Sequence, residues 1–272
     1  MTLQYMAVIS DQHIVEKGTT LYGLDTNTSA KHLFTDLAEA RLPKLVLSLG
    51  DLADTTLNPV RTEAMASTEA YQNAQELALP LRRPFLTLPG NHDDPALLST
   101  FFPNRWDYDT SGVSVRTFNH VDLIGVDVRT GPEATGLIAQ GTLEQLDRVL
   151  EQSRKAILFT HFPVVDLDSP RINETLSVLN REELIPLFAK YREKILGVLS
   201  GHLHMRYATQ VEGVVAHGVP SSAFMFRASP GSEDPISVCD DPCGYLLLGV
   251  DAEGALVVRQ EYTRGAEMRG DG

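Results

Sequence analysis

Leu45-Val46-Leu47-Ser48-Leu49-Gly50-Asp51-Leu52-Ala53-Asp54 passes from an apolar run straight into a glycine and two aspartates. The run has the length and composition of a buried strand, and the polar cluster has the chemistry of a site. The same grammar recurs along the chain. Tyr5–Ile9 runs into Asp11-Gln12-His13, Ala156–Phe159 into Thr160-His161, and Ile195–Leu199 into Gly201-His202-Leu203-His204. A shorter run, Phe85–Leu88, precedes Gly90-Asn91-His92-Asp93. Polar groups at the ends of parallel strands converge on one edge of a sheet, where α/β folds build their sites. Carboxylate, imidazole and one carboxamide together suit one or two hard-to-borderline divalent metals.

Between these runs the pattern alternates with helices. Asp25-Thr26-Asn27 offers N-cap residues for a helix through about Ala40, with Leu33, Leu37 and Ala40 on one face. Val60 to Leu79 reads as a second helix, and Pro95 opens a short one ending near Phe102. Further helices are expected from Gly141 to Leu150 and over Arg181–Tyr191. Gly112–Phe118 and Val121–Val128 read as an antiparallel pair turning at Asn119-His120, and the chain after His204 is mostly β. Phe224 to Pro242 has no clear period and is expected to be irregular, as a pocket lid or a dimer contact. Asp93 and Asp94, just before Pro95, read as turn and cap residues.

Composition narrows the function. The chain has 272 residues, enough for one large α/β unit, and no linker, repeat or low-complexity tract divides it; residues 1–272 are expected to form a single domain. A formal net charge of −13 disfavours binding to a nucleic-acid duplex. No apolar stretch has the length of a membrane span, and Met1–Ile9 enters the first strand without a secretory signal, so the expected location is cytoplasmic. Cys239 and Cys243 imply no disulfide framework and fit no common zinc spacing.

The five clusters in this order resemble the signature of the calcineurin-like metallophosphoesterase superfamily: D-x-H, G-D-x-x-D, G-N-H-[DE], a single His, then G-H-x-H. The resemblance spans Asp11 to His204 and implies a four-layer α/β/β/α sandwich of two mixed sheets flanked by helices. It implies two divalent metals, with Mn and Fe first in expectation and Zn or Co also suited to the donors. Asp11, His13 and His204 would bind one metal, Asn91, His161 and His202 the other, and Asp51 would bridge both. Hydroxide bridging the metals would attack phosphorus, His92 would donate a proton to the leaving group or stabilise the phosphate, and Asp54 would orient His92. The positive charge left at the site would suit a phosphodiester anion.

Within the superfamily, Leu21-Tyr22-Gly23-Leu24-Asp25-Thr26-Asn27 is similar to a loop of bacterial class III cyclic-nucleotide phosphodiesterases and glycerophosphodiesterases. A helix lead-in capped by Asp25 or Thr26 is the other reading of that loop. Thr55 and Thr56 stand where protein Ser/Thr phosphatases carry Arg, which weighs against a dianionic monoester. The expected substrate is therefore a small phosphodiester, either a 3′,5′-cyclic nucleotide or a glycerophosphodiester. A phosphomonoesterase, a nucleotide pyrophosphatase and a non-catalytic metal-binding scaffold are the alternatives. His217 and Arg129 are candidate substrate contacts, whereas His32 and His120 read as ordinary surface residues. By base rate a homodimer is the first expectation for assembly, with a higher homo-oligomer as the alternative.

Overall fold

The structure is a computed structural model. It describes residues 2–54, 67–103, 111–130, 133–229, 231, 236–239 and 241–263. In chain order its strands are β1 (Gln4–Ile9), β2 (Pro43–Ser48), β3 (Phe85–Thr87), β4 (Val113–Phe118), β5 (Val121–Val126), β6 (Ala156–Thr160) and β7 (Ile195–Ser200). They continue with β8 (Ala208–Val211), β9 (Val214–Gly218), β10 (Met225–Arg227), β11 (Ser237–Cys239), β12 (Gly244–Val250) and β13 (Leu256–Tyr262). The helices are α1 (Thr26–Glu39), α2 (Thr68–Ala78), α3 (Pro95–Phe101), α4 (Gln140–Gln152), α5 (Pro170–Thr175) and α6 (Ile185–Tyr191).

Two mixed sheets carry the molecule, ordered β13-β12-β1-β2-β3 and β4-β5-β6-β7-β9-β8. Each has a parallel centre, β1-β2-β3 in one and β5-β6-β7-β9 in the other, with antiparallel strands at an edge. The continuous apolar runs are explained by burial of both faces. In β1, Met6 and Val8 point into a core between the sheets with Leu47, Leu123, Ile157, Phe159, Leu199 and Leu248. Ala7 and Ile9 point the other way, against Leu33 and Phe34 of α1 and Tyr71 of α2. The second sheet repeats this on its outer face, where Ile124, Leu158 and Val198 meet Leu146 and Leu150 of α4 and Phe188 of α6. The layers are thus helix, sheet, sheet, helix, as expected.

Local signals set the helix starts. Asp25 caps α1 by accepting from Thr28 N–H, Ser67 caps α2 through Ala70 N–H, and Asp94 caps α3 through Ala96 and Leu97 N–H. Residues 60–66 of the expected second helix lie outside the described residues. The stretch expected to be helical from Arg181 begins as a 3₁₀ turn, Arg181–Leu184, before α6. The turn α5 was not expected, and the irregular stretch after Phe224 contains the antiparallel pair β10–β11. Strands of three residues are too short to show a period, and this pair, unlike the equally short β3, does not lead into one of the recurring polar clusters. Among the described residues, no helix is long and apolar enough to cross a membrane.

Candidate metal centre

Parallel strands of both sheets open their C-terminal ends on the same side. The turns after β1, β2 and β3 carry Asp11 and His13, Asp51 and Asp54, and Asn91 and His92. The turns after β6 and β7 carry His161, His202 and His204. Inter-turn backbone bonds lock the first two: Asp11 N–H donates to Gly50 O and His13 N–H to Asp51 O, at 3.0 and 2.9 Å. The conformation is costly. Asp11, His13, Asp51, His202 and His204 all have φ between 44° and 66°, a region that residues with a Cβ avoid. Half of the ten non-glycine residues described with positive φ are in this set, which marks the turns as functional. Close packing fixes the motif glycines. A Cβ on Gly90 would lie 2.2 Å from Asp51 Oδ1, and one on Gly201 1.9 Å from Ser10 Oγ.

The side chains fall into two donor groups. Asp11, His13 and His204 form one and Asp51, His161 and His202 the other, each with ligand-type atoms within 4.8 Å of one another. Asn91 joins the second, its Oδ1 3.1 Å from His161 Nε2. Asp51 lies between the groups, its Oδ2 3.3 Å from His161 Nε2 and 3.8 Å from His13 Nε2.

Each of the four imidazoles spends one nitrogen on an outer acceptor. His13 Nδ1 donates to Asp54, His161 Nδ1 to Leu49 O, His204 Nδ1 to Phe224 O, and His202 Nε2 to Ala134 O, at 2.7–3.1 Å. These bonds select the tautomer and aim a lone pair inward. His13 Nε2 and His204 Nε2 then face each other at 3.0 Å, two lone pairs with room for a cation to relieve them. The donor set, its burial and this inward aim fit divalent metal ions.

Asp54 does two jobs. Its Oδ2 accepts from His13 Nδ1 and from His92 Nδ1, both at 2.8 Å. Such direct bonds make His13, Asp54 and His92 a hydrogen-bonded relay rather than a third metal group. The link to His92 was expected; the link to His13 was not. His92 turns its Nε2 toward the centre, 3.9 Å from Asp51 Oδ2, and its side chain is 17 % exposed against 1–4 % for Asp51, Asp54 and His13. Among these groups, it is the one open to an incoming molecule.

Electrostatics are those of a centre short of positive charge. Burial, helped by the Asp51 charge, pushes Asp11 up to about 6 although His161 and His13 oppose it. Burial works against charge on His161 as well, yet the Asp51 and Asp11 carboxylates raise it to about 9. Burial holds His202 and His204 well below the usual range, so both are neutral and ready to coordinate. Burial resists ionisation of Asp51, but His92 and His161 hold it well below the ordinary carboxylate value. A raised histidine stabilises the metal-free fold fully below about 6.5, and that contribution is lost as pH rises through about 9. Metal binding needs the neutral ring. Apparent Mn affinity is therefore expected to fall as pH drops from about 9 to 6, with proton release on uptake at pH 7.5. Calorimetric titration in buffers of different ionisation enthalpy checks this; pH-independent affinity would contradict it.

The surroundings add several findings. Phe224 stacks on His13 and lies tilted against His204 at ring distances of 5.5 and 4.5 Å, and Phe226 lies 4.7 Å from His204. The segment expected to be a lid or dimer contact thus walls the centre. Asp25 is indeed the N-cap, and the Leu21–Asn27 loop also reaches the site: Thr26 Oγ1 donates to His13 O, and Leu21 and Leu24 pack with Val15 and Phe224. Arg129 engages Asp127 through Nε and Nη2 at 2.9 and 2.6 Å. His217 is half-buried on β9, and burial lowers its pKa. His32 and His120 are exposed, as expected, and both cysteines are free. Asp94 caps α3 and Asp93 lies in the turn before it, as expected, but Asp93 is fully buried.

Comparison with known proteins follows the same outline. A model of the calcineurin-like phosphoesterase family matches residues 6–206. A probable cyclic nucleotide phosphodiesterase of Rhodopseudomonas palustris is 26 % identical over 92 % of this chain and 89 % of its own length. A probable glycerophosphodiester phosphodiesterase of Arcobacter nitrofigilis is 27 % identical over 72 % of this chain and 70 % of its own. Among solved structures, a dimetal phosphatase from Danio rerio superposes with a TM-score of 0.69 at 15 % identity, covering 96 % of each chain.

Proposed function

Since the chain belongs to the calcineurin-like phosphoesterase family, we propose that it is a binuclear metal-dependent phosphodiesterase of small diesters, of the 3′,5′-cyclic nucleotide or glycerophosphodiester type. The observation that carries this reading is the position of Asp51 between two complete donor groups. Asp11, His13 and His204 would hold one metal, Asn91, His161 and His202 the second, and Asp51 would serve both. Mn and Fe suit the mixed oxygen and imidazole donors, as do Zn and Co. When bound, such a pair supplies charge stabilisation and water activation near neutral pH.

The chain's own groups do the rest. His92 offers its Nε2 proton to the departing oxygen. Asp54 holds that ring in place at Nδ1. The same carboxylate fixes His13, so proton donor and metal ligand share one anchor. Diester specificity is supported by the sequence, in which Thr55, outside the described residues, follows Asp54 where an arginine would favour a monoester, and by Arg129 being engaged by Asp127. The names of the relatives support the same substrate class.

The test is a substrate panel on Mn-loaded protein: bis(p-nitrophenyl) phosphate against p-nitrophenyl phosphate, then 3′,5′-cAMP and glycerophosphodiesters. The diester is expected to turn over faster. Preference for the monoester would make this a phosphatase or nucleotidase, and no turnover would make it a metal-binding scaffold.

A further inference from the structure

The turn after β3 holds an acid that the proposed chemistry does not use. Asp93 is fully buried and accepts four hydrogen bonds. Oδ2 takes Gly90 N–H at 2.9 Å and Leu52 N–H at 3.3 Å; Oδ1 takes Ala53 N–H at 3.3 Å and the Tyr71 hydroxyl at 2.9 Å. In return, Asp51 Oδ1 accepts His92 N–H at 2.8 Å. The two turns therefore clasp each other, each lending a carboxylate to the other's amides. Asn91 sits between Gly90 and His92, whose amides are both engaged in this clasp.

Tyr71 ties the clasp to α2. Its hydroxyl donates to Asp93 and accepts Asp94 N–H at 2.9 Å. Its ring is fully buried and stacks on Phe101, with ring centroids 6.1 Å apart. The tyrosine cannot shift without moving the turn it holds.

From this geometry we infer that Tyr71 and Asp93 are a positioning pair that sets the separation of the Asp51 and Asn91 donors, and with it the affinity of the metal position that includes Asn91. The inference rests on the two-metal reading above. The other position is supported elsewhere: Ser221 Oγ donates to Asp11 O, His13 leans on Asp54, and His204 on Phe224 O. The Asn91 position is also the one completed by a neutral ligand, so a small error in placement costs it most. Losing an outer partner typically lowers metal affinity about 10- to 100-fold, and Tyr71 acts through Asp93, so about tenfold is expected.

The experiment is a Mn²⁺ titration of the metal-free full chain, with free Mn²⁺ followed by electron paramagnetic resonance. Y71F, which keeps the ring and its packing, should bind the first equivalent as wild type does and the second about tenfold more weakly. Saturating Mn²⁺ should restore its kcat. A control, Q75A, removes the bond from Gln75 to Phe101 O and loosens the same helix without touching the clasp. If Y71F weakens neither equivalent, or both equally, or if Q75A reproduces its effect, the positioning role is wrong. Wild type alone gives a second measurement. Coupling is reciprocal, so the second Mn²⁺ equivalent should slow hydrogen exchange at Leu52, Ala53 and Gly90, and unchanged exchange there would overturn the role. A wild-type chain that takes up only one Mn²⁺ would instead sink the two-metal reading itself, before any variant is made.

Discussion

Asp51→Asn is expected to abolish uptake of the second metal equivalent and to lower diester kcat/KM by about three orders of magnitude, or about 4 kcal/mol of transition-state stabilisation. The carboxylate is 1 % exposed and lies within 3.9 Å of His13, His92 and His161. A carboxamide keeps the volume but removes the charge that both donor groups share. Its single oxygen can serve His92 N–H or the histidines around Oδ2, but not both. His161 would lose its chief partner and fall back from about 9. Metal stoichiometry and steady-state rates on the same preparation check both halves. Full activity with two metals bound would remove Asp51 from the centre of the proposed mechanism.

His92→Ala should separate substrates by leaving group. General acid assistance contributes about 10²- to 10⁴-fold when the departing oxygen is a poor leaving group. Hydrolysis of 3′,5′-cAMP or a glycerophosphodiester expels an alkoxide, and a loss in that range is expected. Bis(p-nitrophenyl) phosphate expels a phenolate that is stable without a proton, and its loss should stay below about tenfold. Metal affinity should hold, because His92 belongs to neither donor group. Equal losses on both substrates would assign His92 to phosphate binding rather than proton donation. Asp54→Asn would not make this distinction, since that carboxylate serves His13 as well as His92.

Much of this arrangement was legible in the sequence because strand and ligand are adjacent in the chain. Leu45–Leu49 ends where Asp51 must stand, and Ile195–Leu199 ends where His202 and His204 must stand. The apolar runs fixed the strands, and the order of the polar residues fixed which turns meet. What stayed hidden is what depends on contact between distant segments. Nothing near Tyr71 in the chain announces a bond to Asp93, 22 residues away. Nor does a spacing pattern show that Asp54 reaches His13, 41 residues back. Asp93 and Asp94 were legible as turn and cap residues before Pro95, but nothing in the chain showed that Asp93 turns inward and is fully buried. The β10–β11 pair escaped because three-residue strands carry no rhythm and, unlike β3, it leads into no polar cluster, although Phe224 and Phe226 supplied the aromatic content of a wall.

The left-handed backbone at Asp11, His13, Asp51, His202 and His204 has a consequence for anyone redesigning this chain. Glycine would relax each of these positions and erase the side chain for which the strain exists, so comfort and chemistry are mutually exclusive there. Arg82 and Glu212 share the same backbone region without belonging to either donor group, at φ of 33° and 50°. Thermal hardening of the scaffold should therefore begin at such peripheral turns, where a glycine removes strain and no function leaves with the side chain.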